Sequence, residues 1–346
     1  DKCYLMCIDN TYVRKGEIDP KKLLKKIDVT DEIKKTYSKA IENNVAEMLK
    51  AITAEAFIEI GIGTHCNDPY DCPLIDKCWS FLPERNVFLL YRNKKLPLAL
   101  IKDGILELVK IPDDHELNEK NQIQVYCEKT GKPHIDQDKI NNFLDTIQYP
   151  AYYMDFETFA SAIPVFDESS PYQQIPFQFS VHVVREKGTR PEHYSFLADG
   201  PNDPRPEFMA RLKQIMGTKG SIIAYNASYE IGRLKECALV LPKYKKWVES
   251  IEKRILDLLQ PFRAFAYYHP KQNGSCSIKK VLPVLTGKSY DDMEIGDGGT
   301  ASAEYFRVTF TEDNKDKKNV RQFLEEYCGL DTMGMVDIVE QLYILK

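Results

Sequence analysis

Acidic side chains that could hold a divalent cation recur in three separated segments of the sequence. In the first, Asp155 and Glu157 stand at the end of the apolar run 151–159. Because side chains alternate along a β-strand, both carboxylates face one side of the sheet, and Phe156 faces the other side, toward the core. Two neighbouring carboxylates repel each other unless a cation lies between them, so this pair predicts a hard divalent ion.

The second acidic segment, residues 225–230, joins a strand-like run to a helical pattern. Asn226 is the expected N-cap of that helix, and Glu230 follows one turn later, within reach of the same strand ends. A Glu in the first turn of an Asn-capped helix is also common without any functional role.

The third segment, residues 327–331, lies in a helix predicted over about 319–343. Its i,i+4 spacing puts the phenol of Tyr327 and the carboxylate of Asp331 on one helical face. Each segment alone is typical of ordinary strand or helix surfaces. Their order, and separations of about 75 and 100 residues, favour a single shared site.

Phosphodiester hydrolysis, the reaction implied by the family resemblance described below, needs such a set of side chains. Two Mg²⁺ or Mn²⁺ ions roughly 3.5–4 Å apart, held by three or four carboxylates, can activate a water and face the leaving oxygen. A tyrosine with a pKa of about 10 is a poor base, so Tyr327 is expected to position that water through its hydroxyl.

The elements that must position these residues belong to an α/β pattern. Strand-like runs occupy 151–159, 175–184, 193–198 and 221–226, and a helical pattern occupies 207–216. Strands followed by alternating strand and helix predict a mixed sheet flanked by helices.

In this order the motifs resemble those of the DnaQ-like (DEDD) 3′–5′ exonucleases, whose fold is RNase H-like. MDFET at 154–158 is similar to the first motif, YNASYEIGRL at 225–234 to the second, and YCGLD at 327–331 to the third in its tyrosine form. The histidine form would carry His where Glu326 stands. The resemblance implies three metal ligands, Asp155, Glu157 and Asp331, and a water-orienting phenol, Tyr327.

The second motif departs from the family pattern, because Glu230 stands where those exonucleases carry Asp. Its extra methylene still permits ligation but displaces the carboxylate, which leaves open a nucleic-acid-binding module with impaired catalysis. Asp257 is expected either to support the site or to cap a helix. The side chains expected to contact the substrate, single-stranded DNA or RNA, are Phe156, Thr158, Asn226, Ser277, Lys279 and Lys280.

A loop over residues 61–82 carries Cys66, Cys72 and Cys78 at equal spacing. Thiolates gathered in this way normally hold Zn²⁺ or an iron–sulfur cluster, although reduced cysteines in an ordinary loop remain the alternative. Three cysteines make an incomplete set. The candidates for a fourth ligand are His65, Cys3 and Cys7.

This loop, with a helix predicted over 30–52, is similar to the C-terminal part of RecB-like nucleases with an iron–sulfur staple. That resemblance implies a [4Fe–4S] cluster whose early cysteine precedes Asp1, and hence a longer protein with an N-terminal nuclease segment. In this chain the cluster is expected to be missing or replaced by zinc. The phrases SPYQQIPFQFSVHV, YNASYE and SIKKVLP resemble a bacterial family of unknown function that joins such a segment to a DnaQ-like domain.

The length of 346 residues exceeds that of one ordinary domain. The sequence predicts a RecB-like remnant over 1–82, a connecting α+β region over 83–147 and the exonuclease domain over 148–346. A further alternative makes the first part a metal-stapled scaffold for a nuclease partner.

Composition excludes several classes of protein. The net charge of −5 excludes a polybasic, histone-like binder, although a local basic patch could still grip nucleic acid. No apolar run approaches the roughly 18–20 residues of a membrane span. Nine cysteines in a chain of this length do not suggest a small secreted disulfide scaffold, so a reducing, cytoplasmic setting is predicted.

Overall fold

The structure, a computed structural model, describes residues 2–36, 39–56 and 60–346. The chain packs as two compact units. Unit 1 comprises Asp1–Phe88, Lys94–Glu107 and Ala162–Tyr172, and unit 2 comprises Leu89–Asn93, Leu108–Ser161 and Gln173–Lys346. These units describe packing and do not test where independent domains begin, so the three predicted domains stay predictions.

Unit 1 combines one small hairpin with short helices. Strands β1 (Tyr4–Ile8) and β2 (Leu24–Asp28) pair in antiparallel fashion. The helices are α1 (Pro20–Leu23), α2 (Thr30–Thr36), α3 (Lys39–Ile52), α4 (Ile75–Cys78) and α5 (Leu96–Lys102).

The helix predicted over 30–52 corresponds to α2 and α3, and Tyr37, within that range, lies outside the described residues. The apolar positions of α3 recur with helical spacing. They are nevertheless exposed in the described part of the chain: Ile41, Val45, Met48 and Ile52.

Unit 2 contains the remaining elements in chain order. They are α6 (Glu119–Thr130), β3 (His134–Ile135), α7 (Gln137–Leu144), β4 (Ala151–Phe159), β5 (Ile175–Val184), β6 (Glu192–Leu197), α8 (Arg205–Ile215), β7 (Ile222–Ala224), α9 (Ser228–Val240), α10 (Lys245–Glu252), β8 (Ile255–Asp257), α11 (Leu259–Arg263), β9 (Tyr267–Tyr268), α12 (Ile278–Thr286), α13 (Gly298–Phe310) and α14 (Lys317–Leu345). Short 3-10 turns lie at Thr64–Cys66, Val87–Leu89, Leu108–Lys110, Pro242–Tyr244 and Pro270–Gln272.

A five-stranded mixed sheet with the strand order β6-β5-β4-β7-β8 organises unit 2. β5 runs antiparallel to both β4 and β6, whereas β7 and β8 run parallel to β4 and to each other. The α/β class and the mixed sheet flanked by helices are therefore confirmed. The predicted strands match β4, β5, β6 and β7 to within two residues at each end.

The central strands of the sheet are buried on both faces. Every residue of β5 is buried, which explains its nearly continuous apolar sequence. On one face, Phe156 and Phe179 pack edge-on against Phe208 of α8. On the opposite face lies α14, a helix of 29 residues.

Polar contacts attach α14 to β5. The Gln178 amide donates to the carbonyl of Leu324 at 2.8 Å. The Thr332 hydroxyl lies 2.6 Å from the Ser180 hydroxyl and 2.8 Å from Nδ1 of His182. Because these groups are buried, each hydrogen bond also removes the cost of an unpaired polar atom. This attachment fixes the helix that carries Tyr327 and Asp331.

None of the helices in the described residues combines the length and apolarity needed to cross a bilayer.

Candidate metal and catalytic site

A cavity of about 490 Å³ in unit 2 brings together the five predicted catalytic residues. Strand β4 supplies the first pair, α9 supplies the carboxylate of the second motif, and α14 supplies the phenol and carboxylate of the third. The residues are Asp155, Glu157, Glu230, Tyr327 and Asp331. We call this cavity the acidic cavity. Its location matches the expectation that three distant segments form one site.

The tightest group of possible ligand atoms in the described residues contains Asp155, Glu157 and the thiol of Cys328. One ligand atom from each lies within 4.8 Å of the other two. The two carboxylates share a face of β4 because of strand alternation, as predicted. Cys328 lies beside them because α14 packs across this face, and its sulfur is 3.9 Å from an oxygen of Asp155.

Asp331 lines the same cavity but is not part of this tight group. The hydroxyl of Tyr290 donates to Oδ1 of Asp331 at 2.6 Å. A hydrogen bond from Tyr327 also lowers the pKa of Asp331. Asp331 thus lies in the acidic cavity beside the phenols of Tyr290 and Tyr327.

Glu230 lies in the first turn of α9 with its side chain buried, and Oε2 has no hydrogen-bond partner among the described residues. A buried carboxylate oxygen without a partner is costly. A bound cation would satisfy it, and protonation would remove its charge. Glu230, although its side chain is longer than that of Asp, therefore lines the acidic cavity, as expected for the second motif.

The predicted N-cap was wrong: Ala227 precedes α9, and Asn226 has a left-handed backbone with φ of 70°. Its backbone N–H donates to Oδ1 of Asp257 at 2.9 Å. The same oxygen accepts from the backbone N–H of Leu259 at 3.0 Å, and Oδ2 accepts from the amide of Gln260. Asp257 therefore organises this turn and the start of α11, which agrees with the capping alternative.

Burial raises the pKa of every acid in the cavity. For Asp155, burial and the nearby carboxylates of Asp331 and Glu157 hold the pKa well above its usual range. Burial, followed by the charge of Asp331, raises the pKa of Glu157 to about 8. Burial is the largest cause of the raised pKa of Glu230, which also reaches about 8. Burial likewise raises the pKa of Asp331 to about 6. Without a cation, protons stabilise this cluster.

The donor set suits a hard divalent cation. Its oxygens come from closely spaced, mutually repelling carboxylates, and one Glu230 oxygen has no partner among the described residues, which is the environment that Mg²⁺ or Mn²⁺ neutralises. Burial raises the pKa of the Cys328 thiol well above its usual value, so the sulfur stays protonated and is a poor ligand for such an ion.

Three of the predicted substrate contacts lie in the acidic cavity with defined partners. The Thr158 hydroxyl is 2.5 Å from the Tyr229 hydroxyl. Lys279 donates to the carbonyl of Gly296 at 2.6 Å. Phe156 lines the cavity too, but its ring packs against Phe208, as strand alternation predicts.

The other predicted contacts are more dispersed. Asn226 lines both the acidic cavity and a second groove, and Ser277 lines only that groove. Lys280 is exposed and lines neither.

Sequence reasoning missed several residues of this site. Cys328 follows Tyr327 within the third motif, so its i,i+3 spacing from Asp331 could have placed it nearby. Tyr290 lies between α12 and α13, where no periodic pattern gives a signal. Gly298 and Gly299 begin α13 and also line the cavity.

The cysteine loop of unit 1 lines a separate cavity of about 580 Å³. Cys66, Cys72, Cys78 and His65 all contribute to it. Their ligand atoms do not form a compact group of three or more within the described parts of the chain. Cys3 and Cys7 lie on or beside β1 and are not among the residues lining this cavity. Zinc or a cluster at this loop therefore stays a prediction.

Comparison with protein families gives one match to this chain. Residues 152–277 match a family described as a domain of unknown function, DUF2779. The match includes the first two acidic segments and ends before the third. It agrees with the expected resemblance to a family of unknown function, and its description names neither an exonuclease nor a RecB-like nuclease.

Curated proteins of Mycoplasma and Ureaplasma are similar to part of this chain. "Uncharacterized protein MG366" of Mycoplasma genitalium is 28% identical, over 65% of this chain and 38% of that protein. "Uncharacterized protein UU173" of Ureaplasma parvum is 28% identical, over 54% of this chain and 30% of that protein. The chain thus spans between 30% and 38% of the length of these relatives. No solved structure gives a significant match.

Proposed function

We propose that unit 2 is a 3′–5′ exonuclease that depends on Mg²⁺ or Mn²⁺ and hydrolyses phosphodiester bonds at single-stranded nucleic-acid ends. One observation carries the proposal: four carboxyl groups and a tyrosine from three distant segments line one cavity. Carboxylates so close together are costly unless cations bind among them. Their arrangement by strand, helix start and long helix agrees with the DnaQ-like motifs that the sequence resembles.

The chemistry of each side chain in the acidic cavity suggests its role. Asp155, Glu157 and Asp331 would hold the metal ions, with Glu230 as a further carboxylate. When bound, the ions would lower the pKa of the attacking water and neutralise charge on the phosphate and the leaving oxygen. The buried phenol of Tyr327 has a pKa raised by burial and by the neighbouring acids, so it stays protonated and orients water by hydrogen bonding.

Lys279 adds one positive charge to this acidic cavity. Its Nζ lies 5.5 Å from the ring centre of Tyr327, and its charge lowers the pKa of Glu157. A cation here favours the approach of a phosphate toward a cavity that is otherwise acidic. The polarity of cleavage, the preference for single strands and the cytoplasmic setting rest on the sequence alone.

A nucleic-acid-binding module without catalysis is the second candidate. The observation that favours it is the position of Asp331, which is hydrogen-bonded to Tyr290 and lies outside the tight ligand group. Such a protein would bind single strands without cleaving them when metal is added. The cysteine cavity, for its part, keeps the scaffold hypothesis for residues 1–82 open, and metal analysis of the intact chain would test it.

The deciding experiment follows degradation of a 5′-labelled single-stranded oligonucleotide, with DNA and RNA in parallel. Mn²⁺, Mg²⁺ and EDTA are compared for the unmodified protein, for Asp155→Asn and for the control Asp138→Asn, which alters an exposed acid of α7. We expect a metal-dependent ladder that shortens from the 3′ end, is lost in Asp155→Asn and persists in the control. Equal cleavage by both variants would remove Asp155 from the mechanism. Metal-independent binding without cleavage would select the second candidate.

A further inference from the structure

Beside the acidic cavity, unit 2 contains a second groove of about 460 Å³ whose charge is the opposite. We propose that this groove, which we call the arginine groove, binds the sugar–phosphate backbone of the nucleic-acid strand on the 5′ side of the scissile phosphate, through Arg92 and Arg263. This inference rests on the proposed function and names the part of the substrate that the acidic cavity does not hold.

The two depressions are continuous. Tyr225, Asn226 and Ile278 line both of them. A strand whose 3′ end lies among the carboxylates would therefore pass over the Asn226 turn and enter the arginine groove. Phosphates repeat along such a strand, so a second set of positive groups at this position is the chemistry that a polynucleotide requires and a mononucleotide does not.

The charges of the two sites are complementary to a metal-bound polyanion. The acidic cavity is lined by four carboxyl groups and one lysine, whereas the arginine groove is lined by two arginines and no acidic residue among those described. Neither Arg92 nor Arg263 forms an ion pair within the described parts of the chain. Arg263 instead donates to the Asn226 amide oxygen at 3.4 Å. Two guanidinium groups are thus left for phosphate oxygens, to which they donate in a planar, bidentate manner.

The segment that carries Arg92 is held in place by buried amides. Gln124 of α6 is fully buried, and its amide group donates to the carbonyl of Leu89 at 2.6 Å and accepts from the N–H of Tyr91 at 2.8 Å. Asn121, also fully buried, donates to the carbonyl of Tyr91 at 3.2 Å. Buried side-chain amides aligned on one short segment of backbone make it rigid.

The backbone of this segment is also strained. Arg92 adopts a left-handed conformation with φ of 50°, which costs free energy for a residue other than glycine. The turn at Gly274 packs against the same segment so closely that a Cβ there would lie 1.9 Å from the carbonyl oxygen of Leu89. A strained backbone of this kind persists only where the surrounding structure imposes it. With this backbone conformation, Arg92 lines the groove.

The side of the groove that carries Arg263 and Cys276 is also held by hydrogen bonds. Lys120 donates to the carbonyl of Arg263 at 2.6 Å, and the thiol of Cys276 donates to the carbonyl of Phe262 at 3.3 Å. Tyr225 donates to the carbonyl of Cys276 at 2.5 Å, which ties this wall to the strand end beside the acidic cavity. The groove is therefore preformed, and binding a strand there would cost little ordering of the protein.

The test compares a long substrate with one too short to reach the groove. The long substrate is a 5′-fluorescein single strand of about 12 nucleotides, as DNA and as RNA, a length within the usual site size. The short one is the p-nitrophenyl ester of thymidine 5′-monophosphate. The proteins are the unmodified chain, Arg92→Ala, Arg263→Ala, the double variant, and the control Arg190→Ala, which removes an exposed arginine between β5 and β6.

We expect each groove variant to weaken oligonucleotide binding, measured by anisotropy in Ca²⁺, by at least about fivefold, as for the loss of a charge-assisted hydrogen bond. The salt dependence of binding should fall by about 0.7 in logarithmic slope per arginine. Hydrolysis of the ester should fall much less than oligonucleotide binding, because the ester is too short to reach the groove. The RNA and DNA arms report which sugar the groove accepts.

Either of two outcomes would overturn the proposed role of the groove. The double variant could bind the oligonucleotide as tightly as the unmodified protein, or its loss of affinity could equal that of Arg190→Ala. Failure of the proposed function looks different. In that case the unmodified protein would hydrolyse neither substrate with Mn²⁺, while arginine-dependent binding of the oligonucleotide would still support the groove.

Discussion

At the scale of single residues, the environment of Asp331 distinguishes this site from an exposed acidic patch. Its Oδ1 accepts a hydrogen bond from the buried Tyr290, and both this bond and one from Tyr327 lower its pKa. They oppose the larger effect of burial, which raises the pKa to about 6. The two phenols thus favour the ionised form of Asp331, against the effect of burial.

Replacing Tyr290 tests this role. In Tyr290→Phe, the loss of one hydrogen bond should raise the pKa of Asp331 further and move the acid limb of the pH–rate profile to higher pH. We expect kcat/KM near neutral pH to fall about tenfold, the effect of losing a hydrogen bond to a charged group. The control Tyr194→Phe removes a phenol that donates to the exposed Glu192 at 2.7 Å and should leave the profile in place. Coincident profiles for the two variants would contradict this role.

At the scale of elements, the position of α14 on the sheet decides whether the third motif reaches the other two. Thr332, one residue after Asp331, connects this helix to Ser180 and His182 of β5. Burial and the neighbouring His193 lower the pKa of His182 to about 4, so the imidazole is neutral and can share a hydrogen bond with the hydroxyl. A helix held by such contacts cannot shift without leaving polar groups unpaired.

The variant Thr332→Val removes this connection and keeps the shape of the side chain. It should lower the free energy of unfolding, measured in urea, by about 1–3 kcal/mol, because buried polar atoms of β5 lose a partner. The control Thr286→Val removes a hydroxyl that donates to the carbonyl of Leu282 in its own helix and accepts from the N–H of Lys288 just after that helix. Equal losses in the two variants would show that the contact between α14 and β5 contributes nothing specific.

Elements were easier to predict from the sequence than the details of the site. Runs such as 151–159 and 175–184 are strongly apolar and β-prone, and they form β4 and β5 with the predicted bounds. Asn226 has the residue type of an N-cap, but its backbone is instead held by Asp257, a contact across 31 positions that no local pattern encodes. The same reason hides Tyr290, whose partner Asp331 is 41 positions away.

At the scale of the whole molecule, the acidic cavity couples stability to pH. The pKa values of Glu157 and Glu230 rise from 4.5 to about 8 on folding. The folded chain therefore binds protons that the unfolded chain releases between these values. By linkage, the stabilisation is present below pH 4.5 and is lost as the pH rises through about 8.

Thermal unfolding in EDTA should accordingly show a midpoint that falls between about pH 5 and about pH 9. Glu157→Gln should flatten this dependence, because an amide needs no proton. Mn²⁺ should raise the midpoint most at high pH, where it does not compete with protons, and a concentration of about 100 times Kd would add about 2.7 kcal/mol. A midpoint that rises with pH in EDTA would contradict the shared burial of these acids.

The thiol of Cys328 among the carboxylates has a consequence for how the protein must be handled. Zn²⁺ and Cd²⁺ are softer ions than Mg²⁺ and bind thiolates readily, displacing the thiol proton on binding. A site made only of oxygen ligands would favour them less. With Sγ within 4.8 Å of ligand oxygens from Asp155 and Glu157, this cavity offers such ions a mixed sulfur–oxygen environment. Traces of zinc carried through purification would then occupy the cavity, and a preparation that is inert in Mg²⁺ should gain the proposed exonuclease activity after chelation and reloading with Mg²⁺.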